Sequence, residues 1–515
     1  MLNNCSLSNY KINQVIYSSK NSLVYRGIRI KDNLRVIIKT LNDDAPLIDK
    51  IMSFEREYTI GKKLNGIEGV VKIIELVNYG ANLAIIMEDV NGISLKDFFK
   101  EKNINDNCRE LFIDIAIQLS KFLSEIHLQD IIHKAINPSN ILISKKNDSS
   151  ELSVKFIDFS YASELSREHP SITTANYSEN LLPYISPEQT GRMNRDIDYR
   201  SDYYSLGVTF YELLSGILPF NAKDRIGLIH SHLAETAQIP ELQQDSQIPL
   251  MIWQIIFKLM AKNAEDRYQS MYGLQRDLLK VLENKELENV GQNKYFVLGS
   301  DDRSQRFYIP QKLYGREKEL DKLMNSYNKM LEGENRLFLV GGYSGIGKTS
   351  LIKELQREVA KKNGYIIEGK FDQFKKNIPY SALIQAIKSF VSQLMVESEE
   401  MLALAKDKIK NTLESNCAVI TEIIPEFEKI VGKYPPLETL TPVERNNRFF
   451  NTFTNLIKII ANKDHPLIIF IDDLHWSDIP SFNLLERLVV STEIKYCMFV
   501  GAYRDNEVNL GHPLS

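Results

Sequence analysis

A chain of 515 residues exceeds what one hydrophobic core can serve, so roughly two to four domains are expected. With 43% hydrophobic and 25% charged residues its composition is globular, and a net charge of −4 excludes the basic footprint of a nucleic-acid binder. Four scattered cysteines (Cys5, Cys108, Cys417, Cys497) argue against a disulfide framework or structural zinc. There is no signal-peptide pattern and no apolar run near the ~20 residues of a membrane span, so a cytoplasmic protein is expected.

Over 10–99 the chain is strand-rich, with alternation such as Val36-Ile37-Ile38-Lys39 and Leu83-Ala84-Ile85-Ile86-Met87. Helices follow. Residues 109–127 repeat Leu111, Phe112, Ile115, Ala116, Leu119, Phe122, Leu123 and Ile126 at helical spacing, and further apolar helical stretches cover 203–215 and 253–261. A strand lobe joined to a helical lobe is expected over 10–283, then a polar linker over 284–310. From 311 to 515 strands alternate with helices. Residues 336–340, 365–368, 467–471 and 497–501 read as parallel strands buried on both faces, the pattern of a three-layer α/β sheet.

The segment Ile132-His133-Lys134-Ala135-Ile136-Asn137-Pro138-Ser139-Asn140-Ile141-Leu142 resembles the catalytic loop of protein kinases, and other pieces follow in that family's order. Lys39 ends a strand, Glu57 lies on the next amphipathic helix, and Met87-Glu88-Asp89-Val90 takes the place of the nucleotide-contacting hinge. Asp158-Phe159-Ser160 stands for Asp-Phe-Gly and Ser186-Pro187-Glu188 for Ala-Pro-Glu; Asp202 and Arg267 complete the set, with Arg267 expected to pair with Glu188. The resemblance implies an α+β bilobal kinase-like domain binding ATP with Mg²⁺. Lys39, fixed by Glu57, would hold the α- and β-phosphates, and Asp158 and Asn140 would ligate the metal and, with Lys39, serve catalysis.

The departures fall on the acceptor side. Ala135 occupies the position of the family's proton-accepting Asp, Asn137 that of its lysine, Leu181 that of its threonine and Ser160 that of its glycine. Loss of a general base typically lowers a rate ~10²–10⁴-fold. The phosphate-covering loop, Tyr17-Ser18-Ser19-Lys20-Asn21-Ser22-Leu23-Val24, has no glycine, and its serines are expected to cover the phosphates through backbone N–H groups. This pattern favours nucleotide binding without efficient transfer.

Gly342-Tyr343-Ser344-Gly345-Ile346-Gly347-Lys348-Thr349 fits G-x-x-x-x-G-K-[ST] between an apolar strand and an apolar helix. Gly342, Gly345 and Gly347 let backbone amides wrap phosphates, Lys348 would reach the β- and γ-phosphates, and Thr349 would ligate Mg²⁺. Leu467-Ile468-Ile469-Phe470-Ile471-Asp472-Asp473 is an apolar strand ending in two acids: Asp472 for the metal shell, Asp473 for orienting water. With Leu474-His475-Trp476 this resembles the AAA-related STAND class of signalling ATPases. That resemblance places Arg316, in Gly315-Arg316-Glu317, near the adenine, and Arg504, past the last strand, as a phosphate-sensing residue.

The kinase-like segment with its unusual run Gln189-Thr190-Gly191-Arg192-Met193-Asn194-Arg195, joined to this P-loop segment, resembles a family of large bacterial signalling proteins. Those carry a serine/threonine-kinase domain, a predicted ATPase domain, a sensor domain and often a histidine kinase, and they imply protein partners in a signalling pathway. With no histidine-kinase segment, final sheet strand or helical lid, the expectation is a truncated product. Three readings stay open: a kinase coupled to an ATPase switch, a pseudokinase and ATPase scaffold, and an inactive fragment.

Overall fold

The computed structural model describes all residues except 1–6, 8, 20, 44–45, 47, 80–81, 102–107, 147–150, 165–176, 179, 192–194, 223, 241–247, 284–295, 304–314, 361, 373–378, 396–398, 436–440, 509–511 and 515. The expected linker therefore lies largely outside the described residues, as do Lys20, Arg192, Met193 and Asn194.

The β-branched runs near the N-terminus form β1 (Tyr10–Ser18), β2 (Ser22–Arg29), β3 (Leu34–Leu41), β4 (Ile73–Tyr79) and β5 (Asn82–Glu88), with α1 (Ile48–Lys63) between β3 and β4. They make an antiparallel sheet in the order β1-β2-β3-β5-β4. Its pleat sorts β3: Val36 and Ile38 join Ala84 and Ile86 in one cluster. Ile37 and Leu41 turn to the other, with Ile85, Met87 and Phe54 of α1. Lys39 shares the second face, which decides its partner.

The helical lobe contains β6 (Ile93–Ser94), α2 (Leu95–Glu101), α3 (Cys108–His127), β7 (Ile141–Lys145), β8 (Leu152–Phe156), α4 (Arg200–Ser215), α5 (Arg225–Ala234), α6 (Leu250–Leu259) and α7 (Met271–Glu283). The apolar stripe expected on α3 packs as Phe112, Leu119 and Leu123 against Tyr204 and Phe210 of α4, Trp253 of α6 and Leu278 of α7. Helix α4 starts three residues before its apolar run. Buried polar groups extend it: Arg200 pairs with Asp198, and Asp202 accepts backbone bonds from the catalytic loop. After α7 the chain returns to this lobe, where the Asp302 carboxylate accepts from the Gln269 and Ser270 amides and Phe296 and Leu298 pack on the core.

The remaining elements are α8 (Glu317–Leu331), β9 (Asn335–Gly341), α9 (Lys348–Lys353), α10 (Leu355–Ala360), β10 (Tyr365–Lys370), α11 (Ser381–Leu394), α12 (Glu399–Leu413), α13 (Cys417–Ile423), α14 (Glu428–Val431), α15 (Pro442–Ile460), β11 (Leu467–Asp472), α16 (Ile479–Val490) and β12 (Cys497–Tyr503). The strands form a parallel sheet in the order β10-β11-β12-β9. Alternate residues serve two cores. Leu467, Ile469, Ile471, Cys497 and Phe499 meet α11, α13 and α15, whereas Ile468, Phe470, Met498 and Val500 meet α8, α9 and α10. The expectation of burial on both faces fails at β9, where Leu337 and Leu339 are 48% and 41% exposed. This strand lies at the end of the sheet, and the helices of the first core do not cover that face.

Candidate functional site

Lys39 pairs in register with Val24 and Ile85 on neighbouring strands, and the pleat aims it at α1. There Phe54, Glu57 and Ile60 form the buried stripe. Lys39 Nζ donates to both Glu57 oxygens at 2.7 Å and stands 3.4 Å from Asp158 Oδ1. Burial pushes the Glu57 carboxyl up to about 7 despite the pull of Lys39. Burial also opposes the Lys39 ammonium, but Asp158 and Glu57 outweigh it and raise its pKa. Against desolvation, Lys39 and the Ser160 amide hold Asp158 below the usual carboxylate range.

Asp158 takes φ 64°, a left-handed conformation that Asp tolerates better than most residues. The Ile157 amide donates to the Asn140 carbonyl at 3.0 Å, tying the start of β7 to the end of β8. The side chain of Asn140 is engaged inward, donating to the Ala135 carbonyl at 2.9 Å, which Asn137 Nδ2 also meets at 3.0 Å. At the hinge Met87 is buried, Val90 packs beside it, and the Glu88 carboxylate pairs with Lys155 at 2.7 Å. The hairpin tip differs from expectation. The Asn21 and Ser22 amides donate to Ser19 Oγ at 3.3 and 3.0 Å, so these two N–H groups close the turn on itself.

The acceptor side is apolar. Ala135 is 1% exposed and packs with Tyr177, Leu181, Leu182, Ile185, Ile229 and Leu233. Gln189 binds this wall to the catalytic loop: its Nε2 donates to the Lys134 carbonyl and Tyr177 Oη, while its Oε1 accepts from the Ser186 amide. Beneath it Glu188 and Arg267 form a buried bidentate pair at 2.7 and 2.8 Å, as expected. Despite burial, Arg267 holds Glu188 down to about 2.

The second site lies at the carboxyl ends of the parallel strands. Gly342, Gly345 and Gly347 take φ of 151°, 78° and 91°, conformations that a side chain would strain. Lys348 arches back over the loop, donating to the Gly342 and Tyr343 carbonyls at 2.8 and 2.9 Å. Thr349 Oγ1 donates to Asp472 Oδ2 at 3.3 Å. A hydroxyl and a carboxylate are the hard donors that Mg²⁺ takes beside phosphate and water, so this pair fits the ion. Arg316 reaches the loop through the Ile346 carbonyl at 3.4 Å. Asp473, at φ 52°, turns to Lys370 at 3.0 Å and Arg504 at 3.6 Å. Among the described residues no group of three or more His, Cys, Asp or Glu gathers that could hold an ion, and no helix is long and apolar enough to cross a membrane.

Residues 10–279 match the model of the protein kinase domain. The chain belongs to the protein kinase domain family. Residues 312–500 match the AAA ATPase domain, so the kinase domain is followed by a P-loop domain of that type. Hybrid signal transduction histidine kinase G of Dictyostelium discoideum is 32% identical, covering 76% of this chain and 14% of its own length. Histidine protein kinase 1 of Candida albicans is 26% identical over 73% of this chain and 16% of its own. A probable serine/threonine-protein kinase of Clostridium perfringens is 32% identical, covering 53% of this chain and 38% of its own. The chain thus spans about a seventh of the length of the first two relatives.

Three residues escaped the sequence reading. Lys370 lies two positions beyond the expected end of its strand and Glu507 three beyond Arg504, spacings that signal a shared surface. Gln189 belongs to a run already singled out, but two of its partners, Lys134 and Tyr177, are remote in sequence.

Proposed function

We propose that this chain is an ATP-binding signalling module, with a kinase domain over 10–283 that holds MgATP without efficient transfer and an ATPase domain over 311–515 that hydrolyses ATP as a switch. One observation carries the first half: Lys39, Glu57 and Asp158 are assembled, while Ala135 is enclosed by apolar side chains. An alanine methyl cannot accept the proton of an incoming hydroxyl. Lys39 would neutralise the α- and β-phosphates, and Asp158 and Asn140 would meet Mg²⁺ once Asn140 exchanges its bond to Ala135.

In the ATPase domain the loop amides and Lys348 would hold the phosphates, Thr349 and Asp472 would hold Mg²⁺, and Asp473 would orient water. Bound Mg²⁺ supplies charge neutralisation on the β- and γ-phosphates. Arg316 near the adenine and Arg504 near the terminal phosphate fit the same reading. The signalling names of its relatives support protein partners in a pathway, and a cytoplasmic location is part of the same proposal.

The test is phosphotransfer from labelled ATP to the chain and to a generic acceptor protein, in a Lys348→Ala background. Ala135→Asp/Leu181→Thr and Lys39→Ala are run beside it. Transfer is expected only in the double variant. Transfer with Ala135 in place, lost on Lys39→Ala, would instead identify a working kinase that recruits another base.

A further inference from the structure

The side chains around Asp473 form one network drawn from three segments: the end of β10, the turn after β11 and the turn after β12. Arg504 Nη1 donates to Glu507 Oε1 at 3.0 Å, while its Nε lies 3.6 Å from Asp473 Oδ1. The guanidinium carbon sits 5.0 Å from the centre of the Trp476 ring. Trp476 Nε1 donates to Glu507 Oε2 at 3.0 Å, so one indole seats the arginine with its face and grips the carboxylate with its edge. His475, whose side chain is fully buried, accepts the Arg504 amide on Nδ1 at 3.4 Å, which leaves its proton on Nε2. Among the described residues that nitrogen has no hydrogen-bond partner, and it stands 3.4 Å from Glu507 Oε2 and 3.9 Å from Asp473 Oδ1.

An isolated ion pair three residues apart on a turn would hold Arg504 only weakly. Here the carboxylate is itself fixed, and the arginine has a ring beneath it. A long side chain rich in rotamers is thereby held in one place before any ligand arrives.

We propose that Glu507 is a positioning residue of the ATPase site: pinned by Trp476 and faced by His475, it holds the Arg504 guanidinium beside Asp473, where the terminal phosphate of ATP would be met. The proposal rests on the ATP-hydrolysis reading above. Asp473 and the phosphate compete for Arg504, and Glu507 keeps the guanidinium within reach of both.

The experiment uses the full chain and measures phosphate release with MgATP, together with tryptophan emission. Every variant carries Lys39→Ala so that the kinase site does not contribute; of the chain's two tryptophans Trp253 is buried in that domain, and the remaining nucleotide-dependent change is read at Trp476. Glu507→Ala is expected to lower kcat about 10- to 100-fold with KM changed by no more than about threefold. Glu507→Gln keeps an oxygen for Trp476 and Arg504 and is expected to retain most of the rate. The Arg504→Ala/Glu507→Ala double variant should fall no further than Arg504→Ala alone, because the two act as one unit. The emission difference between MgADP and Mg²⁺ with a non-hydrolysable ATP analogue should persist in Glu507→Gln and vanish in Glu507→Ala. Wild-type rate and emission in Glu507→Ala, or multiplied losses in the double variant, overturn the proposal. Lys348→Ala separates the layers. If that variant alone loses the nucleotide response while Glu507→Ala is silent, the proposal fails by itself. If Lys348→Ala responds like wild type, the ATPase reading fails with it.

Discussion

The two nucleotide sites differ in which half is polar. In the kinase domain Lys39 bridges Glu57 and Asp158, whereas the side that would receive an acceptor is lined by Ala135, Tyr177, Leu181 and Ile229. In the P-loop domain both halves are polar: Lys348 caps the loop carbonyls and Thr349 meets Asp472, while Asp473 is flanked by Lys370 and Arg504. On the proposed reading, nucleotide holding and chemistry are separable layers, and the first domain keeps the scaffold of one without the groups of the other.

That scaffold should be costly to break. Arg267→Ala leaves Glu188 buried without its cation and is expected to destabilise the kinase domain by about 3–5 kcal/mol in denaturant unfolding at pH 7. The pair also predicts a pH dependence. Glu188 is held from 4.5 down to about 2, so its contribution is complete above pH 4.5 and is lost as pH falls toward 2; Arg267→Ala should flatten stability across that window. A variant as stable as wild type would show that the pair is not a structural requirement.

For the charged site, Lys348→Ala is expected to weaken ATP binding by about 100-fold or more, read by equilibrium dialysis in a Lys39→Ala background. Unchanged affinity would remove the P-loop site from the comparison.

The sharpest contrast comes from restoring the missing base. Ala135→Asp places a carboxylate among apolar side chains and should destabilise by about 1–3 kcal/mol with no gain in phosphotransfer, whereas adding Leu181→Thr offers it a partner. A gain of transfer from Ala135→Asp alone would show that the acceptor side opens readily. The smallest effect expected is Gln189→Leu, at about 1 kcal/mol in thermal unfolding, since it removes the link between the wall and the Lys134 carbonyl.

The bilobal and P-loop architectures were legible in the sequence, because the period of apolar residues and the glycine spacing are local signals that tertiary contacts reinforced. It also marked Lys39, Glu57 and Asp158, which the structure brings into one ion-pair cluster, and Thr349 and Asp472, which it joins by a hydrogen bond. Packing of distant segments put Ala135 and Leu181, 46 positions apart in number, into one apolar cluster. The tertiary structure alone decided that Ser19 consumes the amides of its own loop, that β9 leaves one face open, and that Glu507 is gripped by Trp476 across 31 positions. A motif records which residue types are present along the chain. Which hydrogen bonds remain for a ligand depends on how distant segments fill one another's donors and acceptors, and that is settled only when they pack.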